Sequence, residues 1–130
     1  MKNVLIVFLF ILLGAGYATS QEKKGPQLKW ELERHDFGTV YLDDLPETKL
    51  EIKFTNDGTE PLILSQVRAC CGTRVHSWPR EPIMPGKEGI INVEFRIAPT
   101  PQRISRTVTV TSNAEPNTSI FRIVGEVTNR

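Results

Sequence analysis

The chain has 130 residues, with 16 Lys and Arg against 15 Asp and Glu, a formal net charge of +1, and two cysteines. That length suits a single domain. The balanced charge offers no basic field for nucleic acid or anionic lipid, and two cysteines exclude a disulfide-rich scaffold.

The N-terminus carries a positive residue, Lys2, then the unbroken apolar run Val4–Leu13, then Gly14-Ala15-Gly16 and the small-residue site Ala18-Thr19-Ser20. This is the layout of a secretory signal peptide over residues 1–20, cut before Gln21. The apolar run is well short of the ~20 residues that span a bilayer, so no membrane span is expected once it is removed. The expected location is periplasmic or extracellular. Residues 21–27 are polar, end near Gly25-Pro26, and read as a flexible lead-in to a domain over residues 28–130.

Leu28 to Glu33 alternates apolar and charged residues, the period of a half-buried strand. His35 to Val40 continues it through Gly38, which marks a bend or bulge. Asp43-Asp44 and Pro46 make a corner. Thr48 to Asn56 then places Leu50, Ile52 and Phe54 on one face and Lys49, Glu51 and Lys53 on the other. Asn56-Asp57-Gly58 supplies the next turn. Leu62 to Val67 is apolar and leads into the cysteines. Three prolines between Pro79 and Gly86 rule out a central strand there. Ile91, Val93, Phe95 and Ile97 alternate with polar residues. Thr107 to Thr111 is β-branched throughout and favours a strand. The last strand, Ser119 to Val127, sets Phe121, Ile123, Gly125 and Val127 on one face. No stretch after residue 20 shows helical spacing. About seven short strands between Gly, Pro, Asn and Asp corners predict an all-β, immunoglobulin-like antiparallel sandwich.

The series His35-Asp36-Phe37-Gly38-Thr39-Val40, Phe54-Thr55-Asn56-Asp57-Gly58 with Pro61-Leu62, a Cys-Gly segment before Trp78, Pro85-Gly86-Lys87, Ile91-Asn92-Val93-Glu94-Phe95 and Gly125-Glu126-Val127 resembles an exported bacterial family, domain of unknown function 1573. The resemblance covers Trp30 to Val127. It implies a sandwich like those of pilus chaperones and major sperm protein, and a place outside the cytoplasm; it implies no activity. The family's pattern has Cys-Gly-Cys-Thr a few residues before Trp-Pro. Here Cys71-Gly72 matches its first half and Thr73 stands where the second cysteine belongs, so a Cys-x-Cys chemistry does not carry over to this chain.

The stretch Cys70 to Pro79 therefore holds the candidate site, as an end loop of the sandwich. Adjacent Cα atoms lie only ~3.8 Å apart across a trans peptide, against about 4.4–6.8 Å in ordinary disulfides. In a strand, the two sulfurs would also point to opposite faces. The first reading is thus one sulfur packed in the core and the other in the loop, without chemistry. Beside it stand a vicinal disulfide acting as a clip, a bond to a partner chain or small thiol, and capture of a soft metal such as Cu(I) by Cys70, Cys71 and His76, with Met84 as a further ligand. Cysteine catalysis by Cys71 with His76 as base is the remaining reading. Arg74, Trp78 and Arg80 form a candidate recognition surface, since Trp and Arg are enriched at binding hot spots; the plainer view has Trp78 plugging the end of the sandwich. No phosphate loop, nucleophile elbow or metalloprotease helix motif is present. The expectation is a non-enzymatic module with a binding or structural role towards protein partners in the cell envelope, and no cofactor.

Overall fold

A computed structural model describes residues 25–130; the signal peptide assigned to residues 1–20 and the lead-in as far as residue 24 lie outside the described residues. The eight strands are β1 (Leu28–Trp30), β2 (Arg34–Tyr41), β3 (Lys49–Asn56), β4 (Leu64–Ala69), β5 (Thr73–Ser77), β6 (Glu88–Phe95), β7 (Gln102–Ser112) and β8 (Thr118–Thr128). They form two four-stranded sheets in the orders β1-β3-β6-β5 and β2-β8-β7-β4.

The alternation read from sequence is what builds the core. Ile52 and Phe54 of β3, Ile91, Val93 and Phe95 of β6, Ile104, Val108 and Val110 of β7, and Phe121, Ile123 and Val127 of β8 are all buried between the sheets. Each large apolar side chain taken from water contributes about 1.5–3 kcal/mol before chain entropy is subtracted. Trp30 closes one side, meeting Phe121 at 5.5 Å and Phe54 edge-on at 6.0 Å between ring centroids.

Three expectations are corrected. The run from Leu28 through Val40 is two strands in different sheets. The chain leaves the first sheet at Glu31, whose N–H donates to Lys53 O at 3.0 Å, and re-enters in the second at Arg34. Leu32, in that crossing, is 67% exposed. The sandwich is also not wholly antiparallel, because β2 then runs parallel to β8, from Arg34 opposite Arg122 to Tyr41 opposite Thr128. The bulge expected at Gly38 is present, with φ of +70° and a register shift between Asp36 and Thr39. Lastly, Gly25 to Gln27 do not hang free. Gly25 N donates to Thr59 Oγ1 at 3.0 Å and Gln27 N to Asn56 Oδ1 at 3.2 Å.

Candidate functional site

The cysteine segment is a tight turn followed by an edge strand, rather than an end loop throughout. Thr73 N donates to Cys70 O at 3.2 Å, and the two residues between, Cys71 and Gly72, have φ of +62° and +76°. Positive φ at both central positions is what a type I′ turn demands. Glycine adopts it freely; a cysteine does so against steric cost. The turn carries the chain from β4 in one sheet to β5 in the other. Backbone bonds hold its two ends, Cys70 N to Thr107 O at 3.1 Å and Arg96 N to Gly72 O at 2.9 Å.

This conformation brings the sulfurs of Cys70 and Cys71 together as a disulfide between neighbours, with Cα atoms 3.7 Å apart. The first sequence reading, two separated sulfurs, is corrected for a physical reason. It supposed strand or loop geometry with the side chains divergent, whereas the turn at Cys71 places both on one side. Cys71 is exposed and Cys70 is half-buried. Thr107 Oγ1 donates to Cys70 Sγ at 3.6 Å.

In β5, Thr73 and Val75 turn inward while Arg74 and His76 stay exposed. Arg74 lies opposite Glu94 of β6, and a register shift between Val75 and Ser77 inserts His76 as the extra residue. His76 Nε2 then reaches Glu94 Oε2 at 2.7 Å. An ionised carboxylate only accepts, so the imidazole donates. That hydrogen bond, with the charges of His76, Lys49 and Arg74, holds the Glu94 carboxyl below its usual value. Beyond the strand, the Arg80 guanidinium lies over the Trp78 ring at 3.7 Å from its centroid, a cation–π stack. Trp78 is half-buried and also packs against the core, so it serves as plug and platform at once.

The proposed soft-metal set does not converge. Among the described residues no three His, Cys, Asp or Glu come together as a metal cage, the two sulfurs are bonded to each other, and His76 is engaged with Glu94. The same bond ties up the Cys71 thiol that a nucleophile paired with His76 would need.

Sequence reasoning missed Arg106, Arg96 and Thr107. Arg106 points inward from β7 between Ile104 and Val108 and is 9% exposed. Its Nη1 donates to Gly72 O at 3.5 Å, and among the described residues no carboxylate lies within ion-pair distance of it. Burial holds its guanidinium below the ordinary value. Beside Gly72 opens a groove of about 420 Å³, lined by Thr48, Gly72, Arg74, Glu94, Phe95, Arg96 and Ile97. Thr73 Oγ1, next in the chain, is buried with no hydrogen-bond partner among the described residues. The alternation Ile104-x-Arg106-x-Val108 was the signal that marks Arg106 as inward-facing.

Fold and site together define a small immunoglobulin-like sandwich domain with a cysteine-bridged turn at one end. The chain belongs to the protein family of unknown function DUF1573, which matches residues 28–127. No curated protein matches the sequence. Among solved structures, it is similar to a protein of unknown function from Porphyromonas gingivalis W83 (TM-score 0.61, 16% identity, 85% of this chain and 51% of that one). It is also similar to the secreted serine protease VesC from Vibrio cholerae (TM-score 0.61, 12% identity, 81% of this chain and 23% of that one). The Pseudomonas aeruginosa CupB2 chaperone follows (TM-score 0.52, 13% identity, 74% of this chain and 53% of that one). The chain thus spans about a quarter to a half of the length of these structures, and the likeness is one of fold.

Proposed function

We propose that the protein is an exported, non-enzymatic module of the cell envelope that binds a protein partner through β5 and the Trp78–Arg80 segment after it. The observation that carries this is the position of β5 at the end of its sheet, bonded to β6 on one side and followed at once by the Arg80–Trp78 stack. An edge strand offers backbone donors and acceptors to an added strand, and an aromatic–arginine pair beside it is typical of a binding hot spot. The CupB2 chaperone, of similar fold, lends the reading a precedent. Among the described residues no helix is long and apolar enough to cross a membrane.

The test is site-specific photocrosslinking in the native host. A photoreactive residue at position 76 or 80 is expected to give one discrete protein adduct in the envelope fraction, lost on Trp78→Ala. The same probe at position 29 in β1, at the opposite edge of the sheet, is expected to give none. Equal adducts from both edges would end the reading.

A second reading is favoured by the bonded pair itself: a thiol-redox role for Cys70 and Cys71. Intact mass of alkylated protein is expected to show a two-hydrogen difference between oxidised and reduced samples. Two freely alkylated thiols in material taken oxidised from the envelope would refute it.

A further inference from the structure

We propose that the Cys70–Cys71 bond is opened by small thiols that carry carboxylates, with the Cys71 sulfur as the point of attack and the groove beside Gly72 as the subsite for their negative charge. This rests on the redox reading above and names its substrate class.

Accessibility sets the direction of attack. A thiolate must reach one sulfur on the side away from the other, and Cys71 is the exposed member of the pair. The leaving sulfur is then Cys70, which is half-buried and already accepts a hydrogen bond from Thr107 Oγ1 at 3.6 Å. A donor on the departing sulfur stabilises the thiolate that forms there, and a better leaving thiolate speeds exchange.

Charge sets the choice of thiol. The groove begins at Gly72, the residue after Cys71, and is lined by Arg74 and Arg96. Behind Gly72 lies the Arg106 guanidinium, nine-tenths buried and without a carboxylate partner among the described residues. The one carboxylate on the lining, Glu94, is taken by His76 at 2.7 Å. A groove of about 420 Å³ falls in the range of small-molecule sites. Two arginines on the lining and a third behind Gly72, against a single engaged glutamate, favour an incoming anion.

The steps balance. The thiolate RS⁻ attacks Cys71 Sγ, an RS–Sγ bond forms, the Cys70–Cys71 bond breaks, and its electron pair leaves as the Cys70 thiolate. A second RS⁻ attacks the RS sulfur of the mixed disulfide, releasing RSSR and the Cys71 thiolate. Both cysteine thiolates then take protons from solvent. The pair gains two electrons, and two thiols are oxidised to one disulfide.

The experiment uses the oxidised, signal-free protein and three probes: glutathione, neutral 2-mercaptoethanol and cationic cysteamine. Alkylation-quenched intact mass gives the rates, corrected to equal thiolate concentration. Glutathione is expected to react about tenfold faster than cysteamine at low salt, with the advantage collapsing in 0.5 M salt, where the Debye length is only a few ångströms. Arg96→Gln and Arg74→Gln, both at exposed positions, should each cut the glutathione rate several-fold and the 2-mercaptoethanol rate less, since the attacking 2-mercaptoethanol thiolate carries one negative charge and that of glutathione a net two. Fragmentation between the two cysteines should place the glutathione adduct on Cys71. Equal corrected rates for the three probes, or an adduct on Cys70, would overturn the proposal while leaving the redox reading standing. Failure of 2-mercaptoethanol to open any bond would remove both.

Discussion

The two ends of the sandwich bury polar groups in opposite ways. At the end where β3 finishes, Asn56 is completely buried, yet each of its side-chain atoms is used. Its Nδ2 donates to Glu60 O at 2.7 Å and Ile83 O at 2.8 Å, and its Oδ1 accepts from Gln27 N at 3.2 Å and Gly58 N at 3.0 Å. Asn113 staples the neighbouring loop, accepting from Ile63 N at 2.8 Å and donating to Pro61 O at 3.1 Å. At the other end, beside the cysteine turn, Arg106 has one long hydrogen bond and Thr73 Oγ1 has none among the described residues. A satisfied buried network rigidifies; an unsatisfied one costs free energy and marks where structure has been given up for something else. The stapled end thus acts as the foundation, and the cysteine end as the place where function is sought.

The sharpest way to break this contrast is at Asn56. Asn56→Ala would leave the N–H groups of Gln27 and Gly58 and the C=O of Glu60 without partners, while Ile83 O would keep the N–H of Leu62 at 2.8 Å. At about 1–3 kcal/mol for a buried unpaired group, and with some of them reaching water, the expected loss is about 3 kcal/mol. It reads out as a lower urea midpoint at unchanged slope. A loss under about 1 kcal/mol would show that the loops re-pair among themselves and that the two ends do not differ as argued.

Arg106 carries the opposite sign. Arg106→Met keeps most of the side chain's length and apolar stem while removing a buried charge that has no ionic partner. The expected result is a gain of about 1 kcal/mol in the same unfolding measurement. A loss of similar size would mean that the bond to Gly72 O outweighs the desolvation, and the cysteine end would then be as settled as the other.

The difference between the ends also explains what the sequence made legible. The strands rest on a period of two, which is local, so Leu50-Ile52-Phe54 and Phe121-Ile123 were readable as core faces. Asn56-Asp57-Gly58 was readable as a turn, though not as the hub of three loops, because Gln27 and Ile83 reach it from far along the chain. Strand β5 was readable in principle: Thr73, Val75 and the exposed Arg74 and His76 alternate, but the run is short and the cysteines beside it drew the reading towards a loop. The pairing of Cys70 with Cys71 depends on the φ of one non-glycine residue, which no propensity announces. The partners Glu94 of β6, Arg96 just beyond it and Thr107 of β7 are far along the chain, 18 residues from His76 for Glu94 and 37 from Cys70 for Thr107, and only the fold brings them there.

The smallest expected effect lies on the surface of the cysteine end, at Glu94. Its carboxyl is held below the usual value, first by the hydrogen bond from His76 and then by the neighbouring charges of His76, Lys49 and Arg74. A carboxylate whose folded value is depressed stabilises the fold above its unfolded value, and that contribution is lost as pH falls through the folded one. The pair is exposed to solvent, so the contribution is small and salt-sensitive. His76→Gln should therefore lower the neutral plateau slightly and leave stability below the range where carboxylates titrate unmoved, so that the acid limb of stability against pH becomes shallower by the same small amount. Carboxyl-detected NMR titration gives the direct check, with the Glu94 midpoint moving up towards its ordinary value in the variant. An unmoved midpoint would assign the depression to Lys49 and Arg74 alone. The β5 edge would then present His76 as a free donor beside Arg80 and Trp78, a different surface for a partner to read.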